Sequence, residues 1–162
     1  MAFTADYDVL FDRLDEELRI AVEPTPDLFA KVIASVCSRI PILTRSGAAA
    51  GLGRLIESAA WTDSALAVIE LELPMWKVRR LVYESGEWFC SLSRQPNLPV
   101  EFDDSVDACH DVLALAILRA FVEARRKTSF GRQTTSHTRQ TTSRARQFSS
   151  VPVGAICCDN FA

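Results

Sequence analysis

Trp76–Arg94 reads WKVRRLVYESGEWFCSLSR. Two runs rich in β-branched and aromatic residues, Trp76–Glu84 and Glu87–Arg94, flank Ser85-Gly86. That composition suits a pleated, half-buried surface. A two-residue loop ending in glycine joins such runs as a hairpin, because the turns whose twist matches the strands require positive φ. The loop length sets the register: Tyr83 faces Trp88, Leu81 faces Cys90, and Val82 faces Phe89 on the other side. Such cross-strand pairs are the unit of sheet stability.

Upstream, Ala65–Leu73 (ALAVIELEL) ends in apolar/acidic alternation and is closed by Pro74. It reads as a further strand, although its first half also fits a helix. Downstream, Gln95–Pro99 holds two prolines and reads as a loop. Asp103, Asp104 or Ser105 then caps a last helix that runs to about Arg126. Its middle, VLALAILRAFV, is apolar nearly all round, which marks a buried helix packed on the sheet.

Toward the N-terminus the period changes to that of helices. Leu10, Leu14, Leu18 and Ala21 form a stripe over residues 6–22, widened by Val9 and Phe11. Asp6, Asp8, Asp12, Asp15, Glu16 and Glu17 crowd the other face. Pro24 ends this helix. Thr25 caps the next, with Pro26 in its first turn and Leu28, Phe29, Val32, Ile33 and Val36 as its apolar side. A third helix spans roughly Arg45 to Ala60. The expected order is α-α-α-β-β-β-α. This is an α+β fold: a three-stranded antiparallel meander packed by N-terminal helices and one long buried C-terminal helix.

The chain changes character near Lys127. Residues 1–124 hold 11 Lys+Arg against 20 Asp+Glu, a balance of −9; residues 125–162 hold 7 against 1, or +6. RQTTS occurs at Arg132–Ser136 and again at Arg139–Ser143, and no acid follows Glu123 until Asp159. Low hydrophobicity with uniform charge predicts disorder. The expected organisation is a single domain over 1–126 and a basic Thr/Ser/Gln/Arg-rich tail over 127–162. The last stretch, VPVGAICCDNFA, regains apolar residues that suit docking.

A hydrophobic content of 48% with 24% charged residues is globular. The acidic N-terminus lacks the basic start and apolar run of a signal peptide. The longest apolar run, Val112–Val122, contains Arg119 and falls well short of the ~20 residues that span a bilayer. Five scattered cysteines do not make a secreted disulfide framework. A cytoplasmic protein with reduced thiols and no membrane contact is expected.

The segment WTDSALAVIELELPMWKVRRLVYESGEWFCSLSRQPNLP, followed by LAILRAFVEARR, resembles a family of small proteins of unknown function from alphaproteobacteria, especially soil rhizobia and their relatives. The resemblance covers about residues 61–126. It implies a bacterial, cytoplasmic protein and brings no activity or catalytic residue with it.

Candidate sites are few. Cys109-His110-Asp111 suggests a nucleophile beside a base, but neighbours on a helix point about 100° apart. On that helix His110 aligns with Val106, Leu113, Ile117 and Phe121, so a partly buried structural histidine is the expectation. Cys157-Cys158 invites soft-metal or redox chemistry, yet the chain holds no C-x-x-C or H-x(3–5)-H pair. No metal site and no cofactor is expected. Gly47, Gly51 and Gly53 resemble a phosphate loop, but Arg54 and Leu55 stand where lysine and a hydroxyl belong. Close helix packing or a flexible linker accounts for them. Glu70, Glu72, Glu84 and Glu87 read as a solvated strand face in ion pairs with Lys77, Arg79, Arg80 and Arg94.

The remaining signal is the cation array Arg125, Arg126, Lys127, Arg132, Arg139, Arg144 and Arg146. Such groups neutralise nucleic-acid phosphates, or lie on an acidic surface such as this protein's own. The expected function is a non-enzymatic binding or interaction module with an unknown protein partner. The first alternative is a nucleic-acid accessory protein that makes weak contact through its tail. The second is a small enzyme built on Cys109/His110. Salt-dependent retention on nucleic acid marks the first alternative, and an unusually reactive thiol the second.

Overall fold

The computed structural model of the protein describes residues 3–98 and 104–134. Five helices come first: α1 (Phe3–Ile20), α2 (Pro26–Val36), α3 (Ile40–Arg45), α4 (Ala50–Glu57) and α5 (Trp61–Glu72). Three strands follow, β1 (Lys77–Glu84), β2 (Glu87–Ser93) and β3 (Ser105–His110), and α6 (Leu113–Thr134) ends the series. The strands form one antiparallel sheet in the order β1-β2-β3. The architecture is α+β, with the long last helix packed on the sheet.

The hairpin has the register that its sequence predicts, with Tyr83 opposite Trp88, Leu81 opposite Cys90 and Val82 opposite Phe89. Ser85 and Gly86 both have positive φ, 57° and 95°, as the tight hairpin turn demands. Tyr83 and Trp88 meet with ring centroids 5.2 Å apart. A bulge interrupts the register between Val78 and Arg80.

The third strand is not the expected one. Ala65–Leu73 lies in helix α5, where Ala65, Val68, Ile69, Glu72 and Leu73 are buried. Those positions run i, i+3, i+4, i+7, i+8, so the helical period decides and the Glu-Leu alternation at its end is coincidental. The strand that completes the meander is Ser105–His110, expected to be the first turn of the last helix. Val106, Ala108 and His110 alternate with Ser105, Asp107 and Cys109, and Leu92 pairs with Val106 as Trp88 does with His110. Asp104 therefore precedes a strand and Ser105 opens it, Asp103 lies outside the described residues, and the last helix begins at Leu113.

The last helix is the centre of the molecule. Ala114, Leu115, Ala116, Ile117, Leu118, Ala120, Phe121 and Val122 are all at least 98% buried. It packs on β2 and β3 from one side and receives α1 and α5 on the other. Each fully buried Leu, Ile or Phe contributes about 1.5–3 kcal/mol, and this helix concentrates them. It also continues beyond residue 126, the expected domain boundary, to Thr134.

The N-terminal helices follow their stripes. Phe11, Leu14 and Leu18 are buried, whereas Val9 is 65% exposed and does not join the core. Thr25 Oγ1 accepts the N–H of Leu28 at 3.2 Å and caps α2, with Pro26 in the first turn. The expected third helix is two short ones, α3 and α4, separated by a turn in which Gly47 takes φ 79°. A side chain added at Gly51 or Gly53 would meet nothing, so neither glycine serves close packing. The helix α4 ends with Ala59 in the left-handed region, φ 56°, a position usually given to glycine.

Candidate functional site

Cys109 and His110 are consecutive on β3, so their side chains lie on opposite faces of the sheet. His110 is 94% buried on the α6 side. Its Nδ1 stands 2.9 Å from the N–H of Val112 and 2.6 Å from Oδ1 of Asp111. A deprotonated Nδ1 accepts the first contact; a protonated one donates to the second. Through the Val112 contact the imidazole ties the end of β3 to the start of α6. The expected structural histidine is found, on a strand instead of a helix.

Two cysteines have raised thiol pKa values: Cys90 is buried and Cys37 half-buried. Burial, reinforced by Glu72 beside it, pushes the Cys37 thiol up to about 12. Burial, with Asp107 nearby, does the same for Cys90, also to about 12. Cys157 and Cys158 lie outside the described residues. Among the described residues, no three His, Cys, Asp or Glu side chains cluster as a metal site would. No helix among them is long and apolar enough to cross a membrane.

The residue that the sequence conceals is Glu72. Expected on a solvated strand face, it is 98% buried near the end of α5. Oε1 accepts Ser38 N–H at 2.9 Å and Ser38 O–H at 3.1 Å. Oε2 accepts Arg39 N–H at 2.8 Å and Ile40 N–H at 3.1 Å. Arg125 stands 3.7 Å away, and its Nε donates to Val36 O at 2.8 Å. One carboxylate thus satisfies the orphan donors at the start of α3, and one guanidinium balances its charge. Above this latch is a cleft of about 430 Å³, lined by Arg39, Arg94, Arg125, Trp76 and Thr128 as well as Glu72. Trp76 Nε1–H donates to Thr128 Oγ1 at 3.2 Å.

The first three cations of the expected nucleic-acid array belong to the folded body. Arg125 serves the Glu72 latch. Arg126 reaches Asp12 of α1 at 2.6 Å and lies 5.7 Å over the Phe11 ring. Lys127 meets Asp104 at 2.6 Å and donates to Ser105 O at 2.9 Å. Arg132 falls within α6, and Arg139, Arg144 and Arg146 lie outside the described residues.

Among the described residues, the fold leaves the outer edge of β1 open. This strand stands at the sheet edge, while α6 lies over β2 and β3. Its α6-side residues Val78, Leu81 and Tyr83 are 38%, 38% and 57% exposed. The other edge carries two side-chain donors: Arg119 Nη1 donates to Cys109 O at 2.6 Å, and Lys127 Nζ to Ser105 O at 2.9 Å. Glu84 faces Glu87 across the hairpin and lies 3.9 Å from Arg80 on its own strand. That contact is within one strand, not the expected cross-strand pair, and Glu70 and Glu72 are not on the sheet at all. In comparison with known proteins, the chain has no significant match to a family model, to a curated protein or to a solved structure.

Proposed function

We propose that this protein is a non-enzymatic interaction module that engages protein through the free edge and exposed flank of β1. The observation that carries the reading is that edge: a strand with no partner on its outer side among the described residues, whose apolar side chains Val78, Leu81 and Tyr83 are exposed. An open edge with apolar flanks is a template for strand addition. The candidate catalytic groups named from the sequence do not converge. Cys109 and His110 diverge, and Glu72 is held by four donors. The nucleic-acid alternative is left with Arg132, Arg139, Arg144 and Arg146, since Arg125, Arg126 and Lys127 pair within the body. The resemblance over residues 61–126 adds a bacterial, cytoplasmic setting to the proposal.

The test is site-specific photo-crosslinking in cells. A benzophenone amino acid at position 81 or 83 is expected to give a discrete protein adduct, and one at position 57, exposed at the end of α4, none. No adduct from either β1 position, or equal labelling from all three, overturns the reading.

A further inference from the structure

We infer that β1 is the seam of a homodimer, in which Arg80–Glu84 pairs antiparallel with the same five residues of a second copy about a two-fold axis through Val82. The inference rests on the interaction-module reading and names its partner.

The strand itself restricts where pairing can occur. The bulge between Val78 and Arg80 and the charge of Lys77 interrupt the first half of the edge, as edge strands commonly do, and Arg79 there donates to Leu98 O at 3.0 Å. The second half, Arg80–Glu84, is regular and free of proline. A two-residue hairpin closes on a hydrogen-bonded pair, here Glu84 with Glu87, and such pairs alternate along an antiparallel ladder. Glu84, Val82 and Arg80 therefore direct their main-chain groups to β2. Leu81 and Tyr83 direct theirs outward.

Those two outward residues fix the pairing options. A one-residue slip would oppose residues from different faces, so only even steps are allowed. With Val82 on the axis, Leu81 forms a hydrogen-bonded pair with Tyr83 of the second copy, and Arg80 lies opposite Glu84 of the second copy. Both charges are exposed, with side chains 67% and 65% accessible, and they share the face away from α6. By symmetry each pair occurs twice. A two-residue slip sets Arg80 against Val82 and carries Glu84 across the bulge to Val78, which loses both ion pairs. Charge complementarity thus selects one register. The apolar pair Leu81–Tyr83 extends the α6-side surface across the seam, and Val82 meets its own copy beside Phe89, which is 38% exposed. Five residues a side make a small interface, so the dimer is weak and forms in the micromolar-to-millimolar range.

Sedimentation equilibrium of the purified full chain over that range tests the seam. Wild-type protein is expected to dimerise. Arg80→Glu or Glu84→Arg alone turns two attractions into two repulsions and is expected to weaken the dimer about tenfold at low salt. Arg80→Glu with Glu84→Arg restores it, because the pair is self-complementary. Amide exchange of Leu81 and Tyr83 slows with concentration, whereas that of Val82 and Glu84 does not change. A chain that is monomeric throughout, or a double variant that stays folded by circular dichroism yet fails to regain the dimer, overturns the inference. If adducts at positions 81 and 83 then contain a different protein, the module reading survives and the self-pairing falls. If no adduct forms, both fall.

Discussion

Glu72 caps a helix to which it does not belong: its Oε2 accepts the N–H of Ile40, 32 residues earlier, at 3.1 Å. Breaking this contact strands Arg125 and three main-chain N–H groups at once. Glu72→Ala is therefore expected to cost about 3–5 kcal/mol, as loss of one partner of a buried pair does. Glu72→Gln keeps the shape but not the charge and should cost less. Denaturant unfolding measures both, and equal losses for the two would mean that charge plays no part.

Backbone conformation predicts two substitutions of opposite sign. Gly86 has φ 95° with open space around it, so Gly86→Val should lose at least ~1 kcal/mol through turn strain alone. Ala59 has φ 56°, so Ala59→Gly should gain up to about 1 kcal/mol. Unchanged unfolding midpoints for both would refute the assignment of strain.

The Cys37 and Cys90 thiols, half-buried and buried, set an alkaline limit. Their pKa in the fold is about 12, above the ordinary value of 9.0, so the folded state holds protons that the unfolded state gives up. Their contribution is complete below pH 9 and is lost as pH rises toward 12. The unfolding midpoint of the wild type should fall more steeply over that window than that of Cys37→Ala/Cys90→Ala. Thiol reagents at neutral pH should modify these two cysteines only after unfolding.

Arg119 joins α1 to β3 through α6. It holds Asp15 by two hydrogen bonds, 2.9 and 3.0 Å, and donates to Cys109 O. The Asp15 hydrogen bonds raise its already high pKa further, so it stays charged at every pH the fold survives. A double-mutant cycle with Asp15→Asn and Arg119→Met should give a coupling of about 1–2 kcal/mol. A coupling near zero would reduce the contact to a surface pair.

Much of this was legible where a local rule had one reading. Ser85-Gly86 between two β-rich runs admits little but a hairpin, and Thr25-Pro26 little but a helix start. Ala65–Leu73 satisfied two periods at once. The adjacent Val68 and Ile69, both buried in α5, sit side by side on a helix but on opposite faces of a strand. Ser105–His110 was masked by acids that also cap helices. Glu72 was beyond local reading, because its donors, three main-chain N–H groups from Ser38 to Ile40 and the Ser38 hydroxyl, are 32 to 34 residues away. The composition change near Lys127 marks a change of charge and not the end of a helix, so Arg125, Arg126 and Lys127 looked like tail while serving the core.

Because α6 is the element on which α1, α5, β2 and β3 all rest, the core has no centre until residues beyond Leu113 have been synthesised. The partner of Asp15 is 104 residues away. Loops of that span must close before the contacts reward them, which makes folding late and all-or-none. A growing chain on the ribosome therefore shows its apolar stripes to chaperones until the last helix has emerged. A stop codon ahead of the last helix removes the one element that α1, α5, β2 and β3 share as a packing surface.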